Sequence, residues 1–181
     1  ANLLEVSAVR LYHDNVLAKQ SGCGRTPWHF DDHHFPLDTN DVVTAWAPAQ
    51  PTPIEMGPLS FAYPLDVHEI IKDVTFEKTG TGYDREVSNI FSKNNVNVNA
   101  TPFELGEVSF HHNLNFHTAS SNRTNCSRIA LANTYYRDGA RVINSPTMVS
   151  GDWQKFMPNV KPGDVAASPL NPICWPVKSE I

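Results

Sequence analysis

The chain has 181 residues, enough for one domain with a substantial core, and its 40% hydrophobic and 18% charged content is ordinary for a folded soluble protein. A formal net charge of −5, with no cluster of Lys or Arg, gives no electrostatic basis for binding nucleic acid. No apolar run approaches the roughly 18 residues of a membrane helix, and the start Ala1-Asn2-Leu3-Leu4-Glu5 is not a secretory signal.

Fourteen prolines and nine glycines punctuate short segments of alternating apolar residues, a pattern of all-β architecture. Strands are predicted over residues 6–13 and 16–20. The segment Thr26-Pro27-Trp28-His29-Phe30-Asp31 follows, and there His29 and Asp31 stand two apart. On an extended chain both side chains point the same way and can grip one ion. Such a triplet arises by chance roughly half the time in a chain of this composition, so it needs partners elsewhere. Further strands are predicted over 41–47, 59–63 and 96–98. Between them, 64–82 reads as a long loop with a turn of helix at 67–71, and 84–93 as a short helix carrying Val87, Ile90 and Phe91.

Residues 107–117 alternate strictly, with Val108, Phe110, His112, Leu114 and Phe116 on one face and Ser109, His111, Asn113, Asn115 and His117 on the other. A turn-rich run, 120–125, leads to a last predicted strand at 128–137. A hairpin centred at Asn122 and Arg123 would set His117 opposite Arg128, with Cβ atoms roughly 5 Å apart. Ala130 and Ala132 continue the face of Arg128 and leave room for a ligand. Two imidazoles and one carboxylate on one face of a six-coordinate ion leave three positions open, the arrangement of non-haem Fe(II) oxygenases. A bidentate Arg suits the distal carboxylate of an α-keto acid better than Lys. Cys23, Cys126 and Cys174 are odd in number and form no CxxC pair, which points to a reducing, cytoplasmic setting rather than a disulfide scaffold.

The His29–Asp31 segment, Phe35-Pro36-Leu37-Asp38, Val42-Val43-Thr44-Ala45-Trp46 and Gly57-Pro58-Leu59 resemble the phytanoyl-CoA dioxygenase family. So do 106–112, Phe116-His117, Asn122-Arg123-Thr124, Asp138-Gly139-Ala140-Arg141 and Lys161-Pro162-Gly163-Asp164. The motifs run in order from about Ala8 to Pro176. The resemblance implies a double-stranded β-helix (a cupin-like jelly roll) with a few peripheral helices, occupying 1–181 as one domain. It also implies Fe(II), O2 and 2-oxoglutarate, with His29, Asp31 and His117 as iron ligands and Arg128 on the distal carboxylate of 2-oxoglutarate. Trp46 and Thr26 match positions that line the co-substrate pocket. His33, Phe35 and Tyr12 are candidate contacts for a small-molecule substrate. Related halogenases replace the metal carboxylate with a small residue, so Asp31 favours hydroxylation of an unactivated C–H bond with release of succinate and CO2. Acyl-CoA is not favoured as substrate, because no basic patch for its phosphates is evident.

Three departures from the family pattern stand out. Phe30 replaces the usual Gln between the ligands. Ala119 occupies a position where relatives carry a hydroxyl beside the Arg, and Thr118 and Ser120 face the other way on a regular strand. Relatives usually have a longer section before the first matched strand, which suits an N-terminal truncation. Ala119 and the short N-terminus keep a second reading open, a metal-poor binding jelly roll without catalysis. A third reading is a same-fold oxygenase performing desaturation, epimerisation or ring formation.

Overall fold

The computed structural model describes residues 1–64, 66–77, 81–146 and 151–176. Two antiparallel sheets dominate them. The larger consists of β1 (Val9–Lys19), β3 (Val42–Pro48), β6 (Ser109–His112), β8 (Arg128–Arg137) and β9 (Ile173–Trp175), in the order β6-β3-β8-β1-β9. The smaller consists of β2 (Thr26–His29), β4 (Leu59–Tyr63), β5 (Asn97–Ala100) and β7 (His117–Ala119), in the order β2-β7-β4-β5. Together they form the expected double-stranded β-helix with few helices.

The inward row of β8 follows from its sequence. Arg128, Ala130, Ala132, Thr134 and Tyr136 alternate with more exposed neighbours, and all five are buried. Register extends that row across the sheet. His13, Asn15, Leu17 and Lys19 of β1 pair with Thr134, Ala132, Ala130 and Arg128, while Thr44, Trp46 and Pro48 of β3 flank the same residues from the other side.

Two predicted segments at 6–13 and 16–20 are one strand. A bulge between Leu11 and His13 makes Tyr12 the extra residue, shifting the alternation before the polar Asp14-Asn15 stretch. Asn171, fully buried, donates to the carbonyls of Leu11 and Tyr12 at 3.1 and 3.2 Å and accepts from Ser168 Oγ at 2.6 Å, so the irregular backbone is satisfied. The predicted strand 107–117 is two strands, because residues 113–116 turn between the sheets. Phe116 there is almost fully buried.

The expected hairpin pairing of His117 with Arg128 does not form. β7 pairs with β2 and β4, whereas β8 pairs with β1 and β3. Residues 120–127 cross from one sheet to the other instead of reversing within one. Asn122 holds that crossing. Its amide donates to Lys19 O at 2.9 Å and Cys126 O at 2.8 Å, and its side-chain oxygen accepts from Thr124 N and Oγ1 at 3.0 and 2.7 Å. The chain thus spends its turn-forming residues on a crossover, which periodicity cannot tell from a hairpin.

Of the predicted loop 64–82, positions 65 and 78–80 lie outside the described residues, and the rest includes α1 (Val67–Ile71). α2 (Gly82–Lys93) presents Tyr83, Val87 and Phe91 at helical spacing. They pack with Phe30 and Phe116, and Trp28 stacks on Phe116 with ring centroids 5.3 Å apart. Trp28 and Phe30 therefore anchor β2 to the helices, which sends the intervening His29 inward. No helix among the described residues is long and apolar enough to cross a membrane.

Replacing Asn122 by Ala removes four hydrogen bonds at a fully buried position, for an expected loss of about 3 kcal/mol. Thermal unfolding should show Tm lowered by roughly 6–12 °C. A change under 2 °C, about the smallest that a 1 kcal/mol loss produces in a chain of this size, would mean the crossing does not depend on this side chain.

Candidate metal centre

β2 and β7 are neighbours, and His29 and His117 are cross-strand partners in their register. Their ring centroids lie 4.2 Å apart. Asp31 is not on the strand, as the sequence suggested, but opens a 3-10 turn over Asp31–His34. Phe30 before it is still extended, with φ −103° and ψ 146°, so His29 and Asp31 nevertheless share a side. Asp31 Oδ1 sits 3.7 Å from His29 Nε2 and 3.8 Å from His117 Nε2. The donor atoms of these three residues all fall within 4.8 Å of one another.

Both imidazoles have fixed tautomers. His29 Nδ1–H donates to Pro27 O at 2.8 Å, and His117 Nδ1–H donates to Asn115 O at 2.9 Å. Each ring therefore turns its Nε2 lone pair to the site, the form a metal requires. Burial lowers the pKa of both against the opposing pull of Asp31, and takes His117 down to about 3. Burial alone would raise Asp31, but the surrounding His117, His111 and His29 outweigh it and hold the carboxyl well below the usual carboxylate range. The set is two neutral imidazoles and one carboxylate, which fits a divalent ion of the Fe(II) type.

Asp31 Oδ2 turns away from the two imidazoles. It accepts a hydrogen bond from Thr44 Oγ1 at 3.1 Å and lies 3.5 Å from His111 Nε2. Thr134 in turn donates to Thr44 at 3.0 Å. Neither threonine was singled out by the sequence, although inward alternation on the two predicted strands could have found them. Asp32 is separate from this group; its backbone and carboxylate are held by Asn113 O and Nδ2 at 3.1 and 3.0 Å.

The centre opens on a cavity of about 450 Å³ between the sheets. At its other end lies Arg128, 5% exposed, with Nη1 donating to Gly57 O at 2.5 Å and its guanidinium 5.3 Å from the Trp46 ring. Its Nε has no partner, and none of the ion pairs among the described residues includes it. Gly57 is required here: its φ is +73°, and an added Cβ would lie 2.3 Å from Ser120 O. Lys19, also buried, is the cross-strand partner of Arg128 and donates to Gly24 O at 2.7 Å. Burial and the Arg128 charge both lower its pKa. The sequence reading missed Lys19, whose inward position depends on the register of β1. Two buried cations without a carboxylate partner among the described residues call for an anion, because an uncompensated buried charge is costly. Thr118 cannot replace the hydroxyl absent at Ala119, since its Oγ1 donates to Thr26 O at 2.5 Å.

Thr26, Trp46, Phe35 and Arg128 all line the cavity. Tyr12 does not. As the bulged residue it is buried against Phe35, Tyr136 and Phe156, and His13 takes the cavity position. His33 is likewise displaced: it is exposed and outside the cavity. A 3-10 turn has three residues per turn, so His34 rather than His33 falls on the side of Asp31.

The lowered imidazole pKa values set the sign of a pH effect. Below about pH 6.5 the unfolded chain binds protons that folded His29 and His117 refuse, so stability is present above that pH and lost as pH falls below it, for His117 down to about 3. In chelator-treated protein each imidazole should contribute up to roughly 1.4 kcal/mol per pH unit. Urea unfolding between pH 7.5 and 5 should show this slope, reduced in His117→Gln. Equal slopes in the two proteins would contradict the assignment.

With 24% identity and a TM-score of 0.73, the chain is similar to the non-heme α-ketoglutarate-dependent carbocyclase SnoK from nogalamycin biosynthesis, covering 94% of this chain and 64% of that one. It is also similar to the non-heme α-ketoglutarate-dependent epimerase SnoN from the same biosynthesis, at 20% identity and a TM-score of 0.68, covering 92% and 63%. A third likeness, at 18% identity and a TM-score of 0.56, is to the non-heme monooxygenase ThoJ, covering 78% and 50%. The chain thus spans under two thirds of the length of these solved structures. No curated protein matches it. The family model for phytanoyl-CoA dioxygenase (PhyH) matches residues 2–130, which include the whole of the His29–Asp31–His117 set and Arg128, and the chain belongs to that family.

Proposed function

We propose that this protein is an Fe(II)- and 2-oxoglutarate-dependent oxygenase that hydroxylates an unactivated C–H bond of a small organic substrate, releasing succinate and CO2. One observation carries the reading: three residues able to hold a metal, and two buried cations with no carboxylate paired to either among the described residues, stand at two ends of the same cavity. A dicarboxylic keto acid has the matching polarity, one end to chelate and one to be neutralised.

His29, His117 and Asp31 would hold the iron, which supplies the oxidising chemistry with O2 and 2-oxoglutarate. Arg128 and Lys19 bind the distal carboxylate, with the Trp46 ring against the guanidinium fixing its plane. Ala130 and Ala132 behind them are small enough to leave the co-substrate its space, and Leu59 and Ala119 close the opposite wall with apolar surface. Those walls exclude water from the charged contacts and so strengthen them. His13, Asn15, His34 and Phe35 line the remaining part of the cavity and are positioned to meet substrate. All three cysteines are free thiols, which supports a reducing, cytoplasmic setting.

Ring closure or epimerisation is the second reading, favoured by the likeness to a carbocyclase and an epimerase. The metal-binding residues are the same for either outcome, and substrate placement decides between them.

Anaerobic Mn(II) and 2-oxoglutarate, each near 100 times its Kd, should each raise Tm by about 5–10 °C, and together by about 10–20 °C. Asp31→Ala should abolish the rise and, with Fe(II) and O2, all succinate formation. Arg128→Gln should keep the Mn(II) increment and lose that of 2-oxoglutarate. A wild-type protein indifferent to both ligands would instead be a binding jelly roll without metal.

A further inference from the structure

His111 is a buried polar residue that the metal-binding set does not use. It lies on β6, where the usual order is inverted: Phe110 is 58% exposed while His111 is 5% exposed. Turning the imidazole inward and the phenyl ring outward forfeits apolar burial, and a buried imidazole must find partners. His111 finds Asp31. Its Nε2 is 3.5 Å from Oδ2, the carboxylate oxygen that already accepts from Thr44. Its Nδ1 is 3.4 Å from Ser109 Oγ. Nε2 facing a carboxylate carries the proton, so Nδ1 accepts from the serine hydroxyl. That is the opposite tautomer to His29 and His117, whose Nδ1–H groups are taken by backbone carbonyls. The ring of His111 lies 4.8 Å from that of His117, yet it is outside the set of donor atoms that one ion can reach.

We propose that His111 is a positioning residue: with Thr44 it occupies Asp31 Oδ2, so that Asp31 offers only Oδ1 to the metal. The inference rests on the metal-centre reading above and adds a condition to it. Three single-atom protein donors would leave three positions of a six-coordinate ion open for the keto acid and O2. A carboxylate binding through both oxygens would take one of these. Two donors on Oδ2 prevent that, and the imidazole does so from the edge of the larger sheet while the metal-binding imidazoles stand on the smaller one.

The test is His111→Phe, which keeps an aromatic ring beside Phe61 and removes the donor. Should that variant fail to fold, His111→Met serves as the donor-free form. Wild type, the donor-free variant and His111→Gln, which can still donate, are each titrated anaerobically with Mn(II), then with 2-oxoglutarate on the Mn(II)-loaded protein. Co(II) absorption reports the ligand field. The donor-free variant should still bind Mn(II) but lose about tenfold in 2-oxoglutarate affinity, with an altered Co(II) spectrum, and Gln should restore both to within about threefold. Unchanged 2-oxoglutarate affinity and an unchanged Co(II) spectrum in the donor-free variant would overturn the role of His111 alone. A wild-type protein that binds neither Mn(II) nor 2-oxoglutarate would overturn the metal-centre reading, and this inference with it.

Discussion

The Asp31 carboxylate is the point on which the two sheets converge. One oxygen faces His29 and His117 of the smaller sheet; the other faces Thr44 and His111 of the larger. A charged group this deep is tolerable only if it is compensated: Oδ2 has its neighbours on two strands of the larger sheet, and Oδ1 faces two Nε2 lone pairs across a gap that a cation would fill. The sheets must therefore keep their separation and register for the carboxylate to be satisfied. Likewise, a candidate metal set divided between a strand end, a 3-10 turn and a second strand keeps its shape only because both sheets grip its acidic member.

The cavity floor translates register into polarity. Lys19 and Arg128 pair at one end, Leu17 and Ala130 next, then Asn15 and Ala132, and His13 and Thr134 at the other end. Charge gives way to apolar surface and then to neutral hydrogen-bonding groups along one pair of strands. The steps are those of two-residue alternation, so a single-residue slip would remove the whole row from the cavity. The bulge at Tyr12 and its Asn171 clamp are what keep His13 in that row. The crossing held by Asn122 does the same for Arg128 from the other strand.

Much of this was legible beforehand where alternation is unbroken. Strand 128–137 was predicted with its observed bounds, and so was strand 59–63. The inward set of β8 follows directly from its pattern. Legibility failed where the backbone departs from a period. Tyr12 left the cavity because of an extra residue, and His33 yielded to His34 because three residues per turn replaced two. The 117/128 hairpin failed for another reason: Ser, Asn and Thr form a turn within a sheet and a crossing between sheets with equal ease, and only the distant partners of Asn122 distinguish the two.

By itself, then, the sequence determined the β architecture and the family, and named a candidate metal-binding set with an Arg, because these depend on residue type and short spacing. Only the tertiary structure decided that His117 and Arg128 stand on opposite sheets, that Lys19 joins Arg128, and that Thr44 and His111 share one oxygen of Asp31. Each of those facts is a contact between segments far apart in the chain. Strand register and the path of a crossing set such contacts, and neither is encoded in any local window of residues.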